Sequence, residues 1–331
     1  MHRLISTSSK KLFAICLFLF ASSFTLLAQQ SHTTTAPAAA VTANPEQIAL
    51  LRWYPANRTA SFPAGDGPEA VVFDGSNIWV SNSSANSVTK LRASDGASGG
   101  NFAAGSSPAG IAFDGSSIWV ANQGSGSVTK LRASDGKTLG NFPVGSSPFG
   151  VVFDGANIWV TNLGSNNVTK LRATDGSVLG TFPVGANPQG IAFDGANIWV
   201  ANTADSTISK IRASDGASLG VLTAGTGPVA FAFDGTFMWV VNQGSNNVTR
   251  IQASNNAIMG NFAVGSLPQS AVFDGVYIWV VNFSSNSVTK LRDSDGALIG
   301  TFPTGQFPEG SAFDGANVWV ANAGSNSVSK R

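Results

Sequence analysis

The chain has 331 residues, 19 of them basic and 18 acidic, with 37 glycines, 14 prolines and only 11% charged side chains. A hydrophobic content of 43% argues against disorder. The near-neutral charge argues against nucleic acid, which demands clustered basic surface. A single core rarely grows past ~250–300 residues, so the length predicts two domains or a modular array.

The two histidines, His2 and His32, and the one cysteine, Cys16, all fall in the first 32 residues. The rest of the chain therefore has no histidine base, thiol nucleophile, Cys/His zinc site or disulfide. Most common hydrolase and redox chemistry is removed with them.

In chain order, residues 1–28 read as a secretory signal. Arg3, Lys10 and Lys11 give the positive region, and Leu12 to Ala28 is an apolar stretch of 17 residues. A retained membrane anchor is the alternative, since such a stretch can just span a bilayer. Cleavage after Ala28 leaves 16 basic against 18 acidic residues, a net charge of −2, and no membrane span. Residues 29–48, rich in Thr, Ala and Pro, read as a flexible tether. Secretion, periplasmic retention or cell-surface display in a bacterium is the expected location.

From residue 49 onward the sequence repeats. Phe-Asp-Gly begins at Phe73, Phe113, Phe153, Phe193, Phe233, Phe273 and Phe313, always 40 residues apart. A Trp follows six positions after each Phe, and an Asn three after that, as in Trp119 and Asn122. Each unit reads as four short strands; in the second they are residues 110–113, 117–121, 127–132 and 139–142. Asp114-Gly115 and Asp135-Gly136 supply tight turns, since Gly accepts positive φ. No helical period survives across a unit.

Four strands per ~40–45 residues is the signature of a propeller blade. A stacked solenoid is the competitor, but it needs polar caps, and the terminal repeats keep the apolar pattern. The ends also match numerically. Leu51-Arg52 aligns with Leu291-Arg292, and Ser61-Phe62-Pro63 with Thr301-Phe302-Pro303, both offset by 240. The C-terminus stops inside a third strand, so the segment around Ala60–Pro63 is expected to supply the missing fourth. The prediction is an all-β, seven-bladed propeller over residues 49–331, its last blade completed by both chain ends.

Ile118-Trp119-Val120-Ala121-Asn122 and Val128-Thr129-Lys130-Leu131 resemble the core of the bacterial YVTN-type repeat, within the wider NHL-like propeller group. The resemblance covers residues 51–331 and implies a secreted or envelope propeller, often without catalysis. Some similar propellers are lyases or lactonases. The streptogramin-lyase type relies on a histidine base, which the mature repeats lack. A lactonase-like reaction would need a metal gripped at the channel.

The repeated Trp are expected between blades, and the repeated Asp and Asn in turns and loops. Lys130 and Arg132 share one strand face, with stems on the neighbouring blade and heads toward water or turn carboxylates. The fifth unit departs from the pattern with Arg250, Gln252 and Asn255-Asn256.

Binding residues in an array should lie where copies disagree. One variable position holds Glu69, Ala109, Phe149, Gln189, Val229, Gln269 and Glu309; another holds Ser83, Gln123, Leu163, Thr203, Gln243, Phe283 and Ala323. Strand alternation puts both on one face of the disc, opposite the Asp-Gly turns. Leu267 and Phe307 add apolar surface there. Glu69, Phe149, Gln189, Gln269, Phe283, Phe307 and Glu309 are the candidate ligand-binding residues. Relaxed selection on loops is the alternative source of the same variation.

Ring closure would make Glu309 and Glu69 neighbours, with Asp66 in the same loop. Asp66, Glu69 and Glu309 offer oxygen-only donors, which suit calcium or another hard cation; solvated loop charge is the alternative. The expectation is a monomeric, non-catalytic scaffold that takes a protein, glycan or small-molecule ligand on its variable face. A metal-dependent lactonase- or lyase-like enzyme using channel carboxylates is the second reading.

Overall fold

The computed structural model describes residues 60–331. The signal and tether segments, and the match at Leu51-Arg52, lie outside them. Strand β1 is Ala60–Pro63; the first blade is the antiparallel sheet of β2 (Pro68–Phe73), β3 (Asn77–Asn82), β4 (Ser87–Arg92) and β5 (Ser98–Ala103), which does not include β1. Strands β6 to β25 repeat that sheet five times, from Pro108 to Pro303. The last sheet has the order β1-β28-β27-β26, where β26 is Pro308–Phe313, β27 is Val318–Asn322 and β28 is Ser327–Lys330. Phe62 pairs with Val328 across β1 and β28. The fold is thus a β-propeller of seven four-stranded blades, closed by the N-terminal strand as the numerical match predicts.

The sequence makes blades because period-two strands bury both faces of β3-type segments against neighbours. Seven apolar clusters result, and each joins consecutive blades. Trp119, Ala121 and Val128 of the second blade meet Ile158, Val160 and Leu171 of the third. Trp319, Val328 and Phe62 of the seventh meet Val71, Ile78 and Leu91 of the first. Six of the repeated Trp are fully buried, and Trp279 is partly so. A buried aromatic contributes ~2–3 kcal/mol, so these interfaces carry much of the stability.

The indole N–H cannot be buried unpaired without cost. In each blade it donates to the Asp of Phe-Asp-Gly, as Trp119 Nε1 to Asp114 Oδ2 at 2.7 Å. The other Asp oxygen accepts backbone N–H groups of the following turn, such as those of Ser116 and Ser117. The buried Asn after each Trp donates to a strand hydroxyl, and in five blades it also clamps the loop. Asn122 donates to Thr129 Oγ1 at 2.8 Å and accepts from Gly105 N at 2.9 Å, whereas Asn202 Oδ1 and Asn242 Oδ1 have no partner among the described residues.

The lysines correct the expectation from sequence. The heads of Lys90, Lys130, Lys170 and Lys210 are buried and do not reach out to water. Trp119 lies opposite Lys130 on paired strands, and the ammonium sits 4.8 Å above the ring centroid. It then donates to the Ala173 carbonyl of the next blade at 2.6 Å. Lys330 does the same to Ala93 O, across the ring closure. Lys210 does also approach a turn carboxylate, Asp194 Oδ2 at 4.0 Å. Arg132 behaves as expected: it is exposed and pairs with Asp135 three residues on, a contact of ~0–1 kcal/mol.

The fifth unit has a steric explanation. In the other turns between third and fourth strands, Gly sits at positive φ against a Phe of the preceding blade. A Cβ on Gly216 (φ 78°) would overlap the Phe182 ring. In the fifth unit Asn256 occupies this position at φ 64°, and the residue 34 positions earlier is Leu222 in place of Phe. The smaller Leu leaves room for the larger turn residue. Asn256 Oδ1 also accepts from Lys210 Nζ at 3.0 Å. Gln252 and Asn255 stand where other blades have the Arg–Asp pair, so that both charges are replaced together.

This complementarity is testable by urea unfolding. Leu222→Phe should cost ~1–3 kcal/mol through overpacking. Adding Asn256→Gly should restore most of the loss, a coupling expected only for residues in contact. Equal losses in the single and double variants would contradict the pairing.

Candidate functional site

Each innermost strand begins with a buried Pro, followed by the variable residue and then a small one. Pairing slips just after the Pro, as between Pro148 and the fourth strand residue, Val151. Such a bulge re-aims side chains, and here the variable residue turns to the ring axis. The small residue is needed because neighbouring inner strands nearly touch. A Cβ on Gly150 would run into the Gln189 carbonyl oxygen of the next blade. That carbonyl is held by Thr161 Oγ1 at 2.7 Å.

The axial cavity so formed has a volume of about 250 Å³. Glu69, Phe149, Gln189, Gln269 and Glu309 all line it, together with Ala109 and Val229. Going round the ring, Glu309 and Glu69 occupy adjacent blades. Gln189, four blades on from Glu309, faces them and is flanked by Phe149 and Val229. The cavity is therefore acidic on one arc and apolar with an amide on the other.

Burial pushes the Glu69 carboxyl up to about 7, opposed in part by a hydrogen bond from Ser83. Burial and the neighbouring Glu69 push Glu309 up to about 8. Near neutrality the pair thus holds protons that exposed glutamates would have lost.

Phe283 and Phe307 stand elsewhere. They do not line the cavity but stack on each other at the rim, with centroids 5.1 Å apart and rings inclined by 23°. Loop-to-loop bonds such as Leu163 N to Ser147 O place the two variable sets on one face, as the alternation predicts. Asp66 does not join the two glutamates. It is exposed, absent from the cavity lining, and accepts from Asn326 Nδ2 at 2.9 Å. Among the described residues no group of three or more His, Cys, Asp or Glu is arranged to hold a metal ion. The calcium trio expected from sequence is therefore not assembled, because Pro68 and the bulge turn Glu69 inward while Asp66 stays in the outer loop.

The sequence reading missed the second lining ring: Ile111, Val151, Ile191, Phe231, Ala271 and Ser311. These lie two residues past the variable position, and strand period two was the signal for them. Ser311 Oγ lies 2.8 Å from Ser270 Oγ, a polar link beside Glu309.

The raised carboxyls make stability depend on pH. Both would ionise near 4.5 in the unfolded chain, but only at about 7 and about 8 when folded. Between these limits the folded state binds more protons, so stability falls as pH rises through that window. The melting temperature should drop by several degrees from pH 5 to pH 8.5, and the Glu69→Gln/Glu309→Gln variant should lose most of that slope. An unchanged slope in the variant would show that the two carboxyls are solvated.

No protein-family model matches the chain, and no curated protein does. The solved structures it is similar to are propellers. A streptogramin B lyase superposes with a TM-score of 0.71 at 19% identity, covering 82% of this chain and 96% of that one. The hydrazine synthase of Kuenenia stuttgartiensis superposes with a TM-score of 0.69 at 21% identity, covering 80% and 95%. Both names are those of enzymes, but likeness at this identity establishes the architecture alone: the chain is a seven-bladed β-propeller.

Proposed function

We propose that the chain is a secreted or envelope-associated binding protein of YVTN type that performs no reaction, and that its ligand seats in the axial cavity. One observation carries this reading. Units that share their Trp, Asp, Asn and turn residues differ at the position aimed into the cavity. An array that conserved only its packing would have no reason to vary the one position that all seven blades aim at a common cavity. Residues 33–331 contain no His or Cys, which supports a non-catalytic role. The apolar start of the chain supports export.

A ligand of matching chemistry is small, with a polar or cationic group for the Glu69–Glu309 arc and an apolar body for Phe149 and Val229. A second reading is favoured by the two raised carboxyls. One could give and the other take a proton, as general acid–base catalysis requires.

A thermal-shift screen of amines, amides and sugars separates the readings. Binding is expected to stabilise the fold by the ~2.7 kcal/mol that a ligand at 100 times its dissociation constant supplies, read as a raised melting temperature. Phe149→Ala or Glu69→Gln/Glu309→Gln should abolish the shift, and mass spectrometry should recover the ligand unaltered. A hit recovered as a different compound would establish the catalytic reading. Hits that survive both variants would remove the cavity as the site.

A further inference from the structure

Seven loops lead from one blade into the next inner strand, and each passes through a residue at positive φ. At that position stand Gly67, Ser107, Ser147, Asn187, Gly227, Leu267 and Phe307. The scaffold imposes the conformation. Asn86 Oδ1 accepts from Ser107 N at 2.8 Å, Asn246 Oδ1 from Leu267 N at 2.8 Å, and Asn286 Oδ1 from Phe307 N at 2.8 Å. Gly, Ser and Asn suit such a backbone, whereas a bulky side chain there is strained. Leu267 and Phe307 nonetheless adopt φ 49° in consecutive blades.

The strained side chains are only about half covered. Leu267 is 40% exposed and Phe307 47% exposed. Phe307 stacks on Phe283 from the adjacent blade, so one face of each ring is turned to the other and the outer part of the stack is left to solvent. Phe283 N donates to Leu267 O, which sets Leu267 beside the pair. Two bulky apolar groups, costly to backbone and solvent alike, are spent on an outward platform. The packing gained is confined to the rim loops, where Phe307 meets Phe283 and Gly324, and strain kept for two half-exposed apolar groups points to recognition.

The surroundings identify the occupant. The loop segments 265–267, 283–286, 305–307 and 323–326 contain no charged residue, only Ser, Asn, Gln, Gly, Ala and the apolar three. Gln306, Ser284, Ser285 and Ser325 in these loops are exposed neutral donors and acceptors. Three side chains are far too few for a protein partner, which needs ~800 Å² on each side. A sugar ring fits. Its C–H face lies against a flat aromatic surface, whose π cloud is negative, and its hydroxyls reach neutral hydroxyls and amides.

We propose that Leu267, Phe283 and Phe307 form a binding platform for a neutral glycan, at the rim between the sixth and seventh blades and separate from the axial cavity. This site does not depend on the cavity's ligand.

The test is retention of the mature protein on an array of neutral and anionic oligosaccharides, with melting temperatures measured in parallel. Retention on neutral glycans is expected, and Phe283→Ala and Phe307→Asn should each reduce it at least tenfold. Phe307→Asn restores the residue type that Asn187 uses at this position, so its melting temperature should equal or exceed that of the parent. Glu69→Gln/Glu309→Gln should retain glycan normally. No retention on any neutral glycan, retention on anionic glycans alone, or retention indifferent to both aromatic substitutions would overturn the proposal. So would a melting temperature of Phe307→Asn several degrees below the parent, which would make the aromatic pair part of the fold.

Discussion

The hydrogen bond from each repeated indole to its turn aspartate is the constraint from which the ring follows. A Trp can sit wholly inside an interface between blades only if its one polar atom has a partner. The Asp provides it at 2.7–2.8 Å in all seven blades. Burial pushes the Asp74 carboxyl up, but bonds from Trp79, Asn77 and Ser76 outweigh that and hold it below the usual carboxylate value. The charge so retained suits the lysine opposite: Lys210 Nζ lies 4.0 Å from Asp194 Oδ2 and 4.3 Å above the Trp199 ring. The lysine then reaches the next blade's backbone. One cross-strand unit thus caps a turn, fills an interface and links neighbours, and its repetition closes the circle.

Because the Trp–Asp pair is the same in every blade, and the cation over the ring is a lysine in all but the fifth, where Arg250 takes its place, the larger differences between blades fall where that unit makes no demand. Two such places exist on one face: the bulged residue aimed at the axis, and the left-handed loop residue at the rim. At the axis the bulge accepts Ala, Val, Phe, Gln or Glu without disturbing the sheet. At the rim the loop tolerates Leu and Phe at a local cost. Both candidate sites are therefore products of one rigid scaffold, which holds them at fixed spacing.

Much of this was legible in the sequence. The forty-residue period, the burial of the Trp, the closure through Ala60–Pro63 and the shared face of the variable loops all follow from spacing and alternation. The lysine's position did not, because Lys130 and Trp119 meet only through strand register. Asp66 was misplaced for a related reason: three residues of sequence separation from Glu69 hide a bulge that sends the two side chains apart. The fifth unit could not be read within one repeat at all, since its compensation lies in Leu222 of the preceding blade. The stack of Phe283 on Phe307 likewise spans two blades.

The most direct test is a double-mutant cycle in the third blade on Trp159→Phe and Asp154→Leu, measured by equilibrium unfolding. Asp154 accepts from Trp159 Nε1 at 2.7 Å. A hydrogen bond to a charged group contributes ~1.5–3 kcal/mol, so the two substitutions should couple by an energy of that order. Losses that add to within ~0.5 kcal/mol would mean that the indole and the carboxylate act independently, and the ring would then rest on apolar packing alone.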